Sequence, residues 1–129
     1  MRTLGKARTW QKYLIIDDDK IIRDLLRAQF EGRDIDVIEA ENGDAGVDLA
    51  RSSQPQLIVL DMSLPGMTGW QVLPILRTHP DTKTIPVIAL TSHDSPELRD
   101  DAHSAGCDRY ITKPVEADRL FKAVDELIG

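Results

Sequence analysis

Three short apolar runs and one short strand-like segment in this chain end on residues equipped to handle a phosphoryl group. Leu57-Ile58-Val59-Leu60 ends on Asp61, and Pro65, Gly66 and Gly69 then mark a loop, so a carboxylate stands where an extended segment hands over to a turn. Tyr13-Leu14-Ile15-Ile16 ends on Asp17-Asp18-Asp19, Val87-Ile88-Ala89-Leu90 on Thr91-Ser92, and Arg109-Tyr110-Ile111-Thr112 on Lys113-Pro114. Singly, each has an ordinary role: acids and threonines cap helices, and a lysine sits in water. Jointly they share a logic. Crowded carboxylates repel one another unless a hard divalent cation lies between them, and an all-oxygen ligand set suits Mg2+. A carboxylate can attack phosphorus to give an aspartyl phosphate. An ammonium and a hydroxyl can then hold the remaining phosphoryl oxygens.

That chemistry requires the run ends to meet. The runs alternate with segments of helical periodicity: Ile22, Leu25, Leu26 and Phe30 form one stripe after Asp19, a plausible N-cap, and Gly32 stops that helix. Ile35–Ala40 reads as a second strand, and Asn42-Gly43 as a turn into a less apolar helix from Asp44 to Ala50. Trp70–Arg77 reads as a third helix with Pro74 in or near its first turns. Ser95 and Pro96 open a fourth as N-cap and first helical residue, with a thin apolar face of Leu98, Ala102 and Ala105 that marks it as the most mobile helix. Leu120, Phe121, Ala123, Val124, Leu127 and Ile128 stripe the last. Five strands alternating with five helices predict an α/β fold, a doubly wound five-stranded parallel sheet covered on both faces. Right-handed crossovers then bring all strand ends to one edge, the edge at which open α/β sheets bind ligands.

The 129 residues suffice for one domain, with residues 1–12 expected to be a basic, disordered tail and residues 13–129 the folded unit. Net charge is −6, and because Arg2, Lys6, Arg8 and Lys12 are the only charges of the first twelve residues, the rest stands near −10. Such a body argues against direct nucleic-acid binding. No apolar run approaches the roughly 20 residues that cross a bilayer, and the start lacks a signal-peptide core, so no membrane association and a cytoplasmic location are expected. The lone Cys107 excludes an internal disulfide framework.

The set of motifs resembles the receiver domain of two-component response regulators, the CheY-like superfamily. It has an acidic pair after strand one, an Asp followed four later by Pro and eight later by Gly, a Thr and a small residue after strand four, and Lys-Pro after strand five. The resemblance covers roughly residues 13 to 128 and implies a flavodoxin-like (βα)5 domain of strand order 2-1-3-4-5. It implies that Asp61 accepts a phosphoryl group, with Thr91 and Lys113 on the phosphoryl oxygens. It implies Mg2+ or Mn2+ held by Asp18 directly, Asp17 largely through water, Asp61, and the Ser63 backbone carbonyl. Lys113-Pro114 would be a cis peptide, Tyr110 the aromatic whose rotamer follows Thr91, Ser92 the small residue leaving space, and Ser63 and His93 the positions that tune dephosphorylation. Implied partners are a histidine kinase or histidine phosphotransfer protein and a downstream protein target or output domain absent from this chain. Partner helices would dock beside the first helix, where Ile21 is a candidate contact, and the phosphorylated form would have the option of homodimerising through its fourth and fifth helices.

Two other readings compete. Asp17-Asp18-Asp19-Lys20-Ile21 spells most of Asp-x-Asp-x-Thr, the nucleophile loop of haloacid-dehalogenase-type phosphohydrolases, with Ile21 in place of Thr. That reading makes Asp17 the nucleophile, and it needs a late acidic pair at a strand end that the chain does not offer. A receiver retained only for protein binding is disfavoured because every catalytic position is filled.

Overall fold

The computed structural model describes residues 11–128; the expected disordered tail falls on residues 1–10, outside the described residues, and on Gln11 and Lys12. Of these last two, Lys12 belongs to the first strand. In chain order the elements are β1 (Lys12–Ile16), α1 (Lys20–Glu31), β2 (Asp36–Ala40), α2 (Gly43–Ser53), β3 (Leu57–Asp61), α3 (Gly69–Thr78), β4 (Val87–Thr91), α4 (Pro96–Ala105), β5 (Arg109–Thr112) and α5 (Ala117–Ile128). The strands form one sheet in the order β2-β1-β3-β4-β5, every adjacent pair parallel. Central β3 and β4 are buried throughout, which is why they read as unbroken apolar runs, whereas edge strand β2 is only partly covered.

Alternation along each strand divides the interior in two. Leu14, Ile16, Ile58, Leu60, Ala89 and Tyr110 belong to one apolar cluster with Ala50 of α2, Val72, Leu73 and Leu76 of α3, and Ala102 of α4. Tyr13, Ile15, Leu57, Val59, Ile88 and Ile111 belong to the other, with Leu26 and Phe30 of α1 and Leu120 and Val124 of α5. Phe30 anchors that second layer by edge-on contacts with Tyr13, at 5.0 Å between ring centroids, and with Phe121, at 6.0 Å.

Local signals set the helix ends. Asp19 caps α1 by accepting from the Ile21 amide, and Ser95 caps α4 by accepting from Leu98, with Pro96 at the first position. Asn42 is a cap as well: its side chain accepts from Ala45, so Gly43 is the first residue of α2 rather than part of a preceding turn. The α1 stripe is narrower than the spacing predicted. Leu26 and Phe30 are buried, but Leu25 is 45% exposed, because the helix rests on the sheet along one line and Leu25 lies beyond it. Ile21 is 76% exposed.

At the edge of the sheet opposite the acids, Arg77 of α3 joins three segments. Its guanidinium donates to the carbonyls of Gly106, Lys83 and Ile85 and to Asp108 Oδ2, which also accepts from the Val87 amide. Gly106 stands so close that a Cβ there would lie 2.8 Å from Arg77 Cγ, and its φ of +122° is one that side-chain-bearing residues rarely adopt.

Candidate functional site

Beyond the carboxyl ends of β1 and β3, oxygen atoms of Asp17, Asp18 and Asp61 come within 4.8 Å of one another. Asp17 is fully buried and closely constrained. Its N–H donates to the Ala40 carbonyl at 3.1 Å, its carbonyl accepts from Arg23, and its Oδ1 accepts from the Asp19 amide at 2.9 Å. Its other oxygen, Oδ2, is buried without a hydrogen-bond donor. Burial foremost, and the nearby Asp61 charge, push the Asp17 carboxyl above its ordinary value against the opposing pull of the Asp19 amide and Lys113. Asp18 faces solvent at the rim, and Asp19 serves as the α1 cap.

Asp61 ends β3 and is almost as buried as Asp17. Its Oδ1 accepts from the Ser63 amide at 2.9 Å, a local turn that turns the chain out of the strand. Lys113 Nζ stands between the two buried acids, 3.4 Å from Asp17 Oδ2 and 3.5 Å from Asp61 Oδ1. The Lys113-Pro114 peptide is cis, and the Lys113 amide donates to the Thr91 carbonyl at 2.7 Å. Asp61 pairs with Leu90 in the β3–β4 register, so Thr91, buried, lies one residue beyond the acid on the neighbouring strand.

The remaining predicted residues form a second group. The His93 amide donates to Thr91 Oγ1 at 3.1 Å, and Tyr110 Oη donates to the His93 carbonyl at 2.6 Å. Thus His93 of the β4–α4 loop is held through its N–H by Thr91 and through its carbonyl by Tyr110, on the two peptide units that flank its Cα. Tyr110 is buried, and Arg99 of α4, paired with Asp94, lies over its ring at 5.3 Å from the centroid. Besides its place in the apolar core, its hydrogen bond goes to this loop and its ring faces Arg99, not the acids. Ser92, His93 and the Ser63 side chain face solvent.

The donor set fits a hard divalent cation: three carboxylates converge, and one of them presents a buried oxygen, Asp17 Oδ2, whose partner is the Lys113 ammonium at 3.4 Å and which accepts no hydrogen bond. Sequence reasoning missed Arg23, whose side chain is bound to the Asp17 carbonyl and to Glu39 of β2. Its only trace in the sequence is a basic residue on the first turn after the acids, which by itself reads as a solvated helix face.

Fold and site together define a class, the doubly wound α/β domains with an acidic crevice at the carboxyl edge and a lysine from β5 reaching into it. A family model described as the response regulator receiver domain matches residues 13–125. The chain is 33% identical over 118 residues to Protein PilH of Pseudomonas aeruginosa, covering 92% of this chain and 98% of that protein. It is 37% identical over 117 residues to the DNA-binding dual master transcriptional regulator RpaA of a Synechocystis strain, covering 91% of this chain and 48% of RpaA. Among solved structures, the receiver domain of the Francisella response regulator 1452 superposes with a TM-score of 0.84 at 34% identity, over 91% of this chain and 95% of that one. The chemotaxis protein CheY4 of Vibrio cholerae gives a TM-score of 0.86 at 24% identity over 92% and 98%, a likeness of fold. This chain therefore belongs to the response regulator receiver domain family, signalling domains of two-component systems.

Proposed function

We propose that the domain is a phosphoryl-accepting switch: Asp61 takes phosphate from a phosphohistidine of a histidine kinase or phosphotransfer protein in the cytoplasm. The observation that carries this reading is the placement of Lys113 Nζ between the buried carboxylates of Asp17 and Asp61, at 3.4 and 3.5 Å. Both contacts of the Asp61 carboxylate fall on Oδ1, which leaves Oδ2 to attack phosphorus. The Oδ2–P bond forms as the P–N bond breaks, and the imidazole departs with the electron pair. Lys113 is close enough to turn from the carboxylates to a phosphoryl oxygen, and the Thr91 hydroxyl, already accepting from His93, keeps its own hydrogen to donate to another. Asp17, Asp18 and Asp61, with the Ser63 carbonyl, would hold Mg2+ or Mn2+, which when bound neutralises phosphoryl charge.

The switch follows from His93, whose backbone both side chains hold. Drawing Thr91 toward the phosphoryl group pulls on the His93 N–H, and the carbonyl that holds Tyr110 is on the next peptide unit of the same residue, so the two side chains are coupled through the His93 backbone. The surface they alter comprises α4, β5 and α5, on which a target protein or an output domain reads the change. Ser63 and His93 stand at the rim, where they would tune the approach of hydrolytic water. The domain is thus no metabolic enzyme, although it catalyses its own phosphorylation and dephosphorylation.

Intact mass after incubation with acetyl phosphate and Mg2+ tests this. The wild type is expected to gain one phosphoryl group, and Asp61→Asn or added EDTA to abolish the gain. No adduct in the wild type would reduce the domain to a binding module. Phosphate release that survives Asp61→Asn but not Asp17→Asn would identify a phosphohydrolase instead.

A further inference from the structure

Arg23 follows the exposed Ile21 by two positions, yet its side chain turns inward and is only 12% exposed. Its guanidinium joins two strands. Nη1 donates to the Asp17 backbone carbonyl at 2.8 Å, where β1 gives way to the acidic turn, and Nε donates to Glu39 Oε1 of β2 at 2.8 Å. Glu39 is anchored in turn by Arg27, whose Nε donates to Oε2 at 2.6 Å. Arg23 touches no carboxylate of the crevice; it acts on the backbone beneath one. The Asp17 N–H, carbonyl and Oδ1 all have partners, and the single oxygen left over, Oδ2, is the buried one aimed beside Lys113. A planar fork of donors serves two acceptors at fixed angles, which an ammonium on a flexible stem does not.

We infer that Arg23 is a positioning residue for divalent-cation binding: it braces the Asp17 carbonyl against β2, and this aims Asp17 Oδ2 into the crevice and raises the affinity of the three-carboxylate pocket for a cation. The inference rests on the receiver reading proposed above. Two effects of Arg23 carry opposite signs. As a cation near the pocket it repels a metal ion, so its removal would tighten binding. As a brace it holds a ligand in place, so its removal would weaken binding. Arg23 and Arg27 share Glu39, and Arg27 also pairs with Glu31, so the four charges balance and orientation dominates.

The test is Mn2+ binding to the full chain with no phosphodonor, read from the electron paramagnetic resonance signal of free Mn2+, alongside thermal melts. Arg23→Ala is expected to weaken binding by about tenfold, the scale on which groups behind a metal ligand act. Arg23→Lys recovers part of the loss, since an ammonium reaches the carbonyl or Glu39 but not both, and Glu39→Gln loses less than Arg23→Ala. Binding by Arg23→Ala that equals or exceeds the wild type, with or without a lower melting temperature, overturns the inference. Should Arg23→Ala not fold, wild-type affinity in both Arg23→Lys and Glu39→Gln overturns it equally. Wild-type Mn2+ binding that is absent, or indifferent to Asp18→Asn, removes the metal site and this inference together, whereas binding that needs Asp18 but ignores Arg23 removes this inference alone.

Discussion

Gly69 is the residue whose smallest change should reach Asp61, the proposed phosphoryl acceptor, most directly. It is the first residue of α3, packed beneath the turn that carries Asp61 out of β3. A Cβ built at Gly69 would lie 2.6 Å from Met62 Cα, 2.8 Å from the Asp61 carbonyl oxygen and 2.7 Å from Met62 Sδ. Ordinary contact between such atoms is about 3.5–4.0 Å, so an overlap near 1 Å must be relieved, and two of the three atoms are backbone that cannot swing aside. Forcing an added methyl into a packed interior costs about 1–3 kcal/mol. Against this, replacing glycine in a helix and restricting the unfolded chain return up to about 1 kcal/mol. Gly69→Ala is therefore expected to lose about 1–2 kcal/mol, a fall in melting temperature of about 4–8 °C for a domain of this size. It should also slow acetyl-phosphate labelling of Asp61, because the relief comes at the peptide that follows Asp61 itself. Gly66→Ala is the control: its Cβ would meet nothing within 4 Å, and only the φ of +72° penalises it, by about 1 kcal/mol. It should melt lower without slowing labelling. Gly69→Ala melting within about 1 °C of wild type, where 1 kcal/mol corresponds to about 4 °C, with undiminished labelling, would refute this account of the turn.

Other expectations follow from the charges. Lys113→Met leaves Asp17 and Asp61 buried together without their cation, so without divalent metal it should lose about 2 kcal/mol by denaturant titration; saturating Mg2+ should narrow the gap, and a gap that Mg2+ leaves untouched would count against a shared pocket. For Glu39, burial opposes ionisation, but the hydrogen bonds from Arg27 and Arg23 outweigh it and hold the carboxyl below its ordinary value of 4.5. A depressed carboxyl stabilises the fold above its unfolded value and ceases to as pH falls through its folded value. Wild type should thus exceed Glu39→Gln in stability at pH 7, and the difference should shrink as pH falls below 4.5; a difference that does not shrink on acidification would refute the ionic origin. Arg77→Met strips donors from three carbonyls and from Asp108, and should lose about 2–4 kcal/mol with faster amide exchange in the α4–β5 connection, an effect that equal exchange in the two proteins would exclude.

The site was legible because a parallel sheet sends every strand in one direction, so residues ending separate apolar runs meet at one edge. Asp17, Asp61 and Lys113 needed only that rule to be brought together. The caps at Asp19 and Ser95 were legible for a local reason, since each acts within three residues of itself. What escaped was set by distance along the chain or by the third dimension. Arg23 and Glu39 are 16 positions apart, and nothing in the periodicity of α1 or β2 pairs them. Leu25 obeys the helical spacing but falls outside the line of contact with the sheet, and Lys12 joined β1 because its register partner is Asp36 of β2.

The two apolar layers have a consequence for how substitutions combine. Neighbouring residues on a strand, such as Leu14 and Ile15 or Tyr110 and Ile111, belong to opposite layers and share no packing partners across the sheet. Thermodynamic coupling between side chains depends on shared contacts, so the sheet acts as a partition. Double-mutant cycles within a layer should show interaction energies, whereas cycles across it should be nearly additive even between residues adjacent in sequence. Substitutions in the layer holding Tyr110 should then leave the packing of the layer holding α1 and α5 nearly unchanged, so the two faces of the sheet can be altered one at a time.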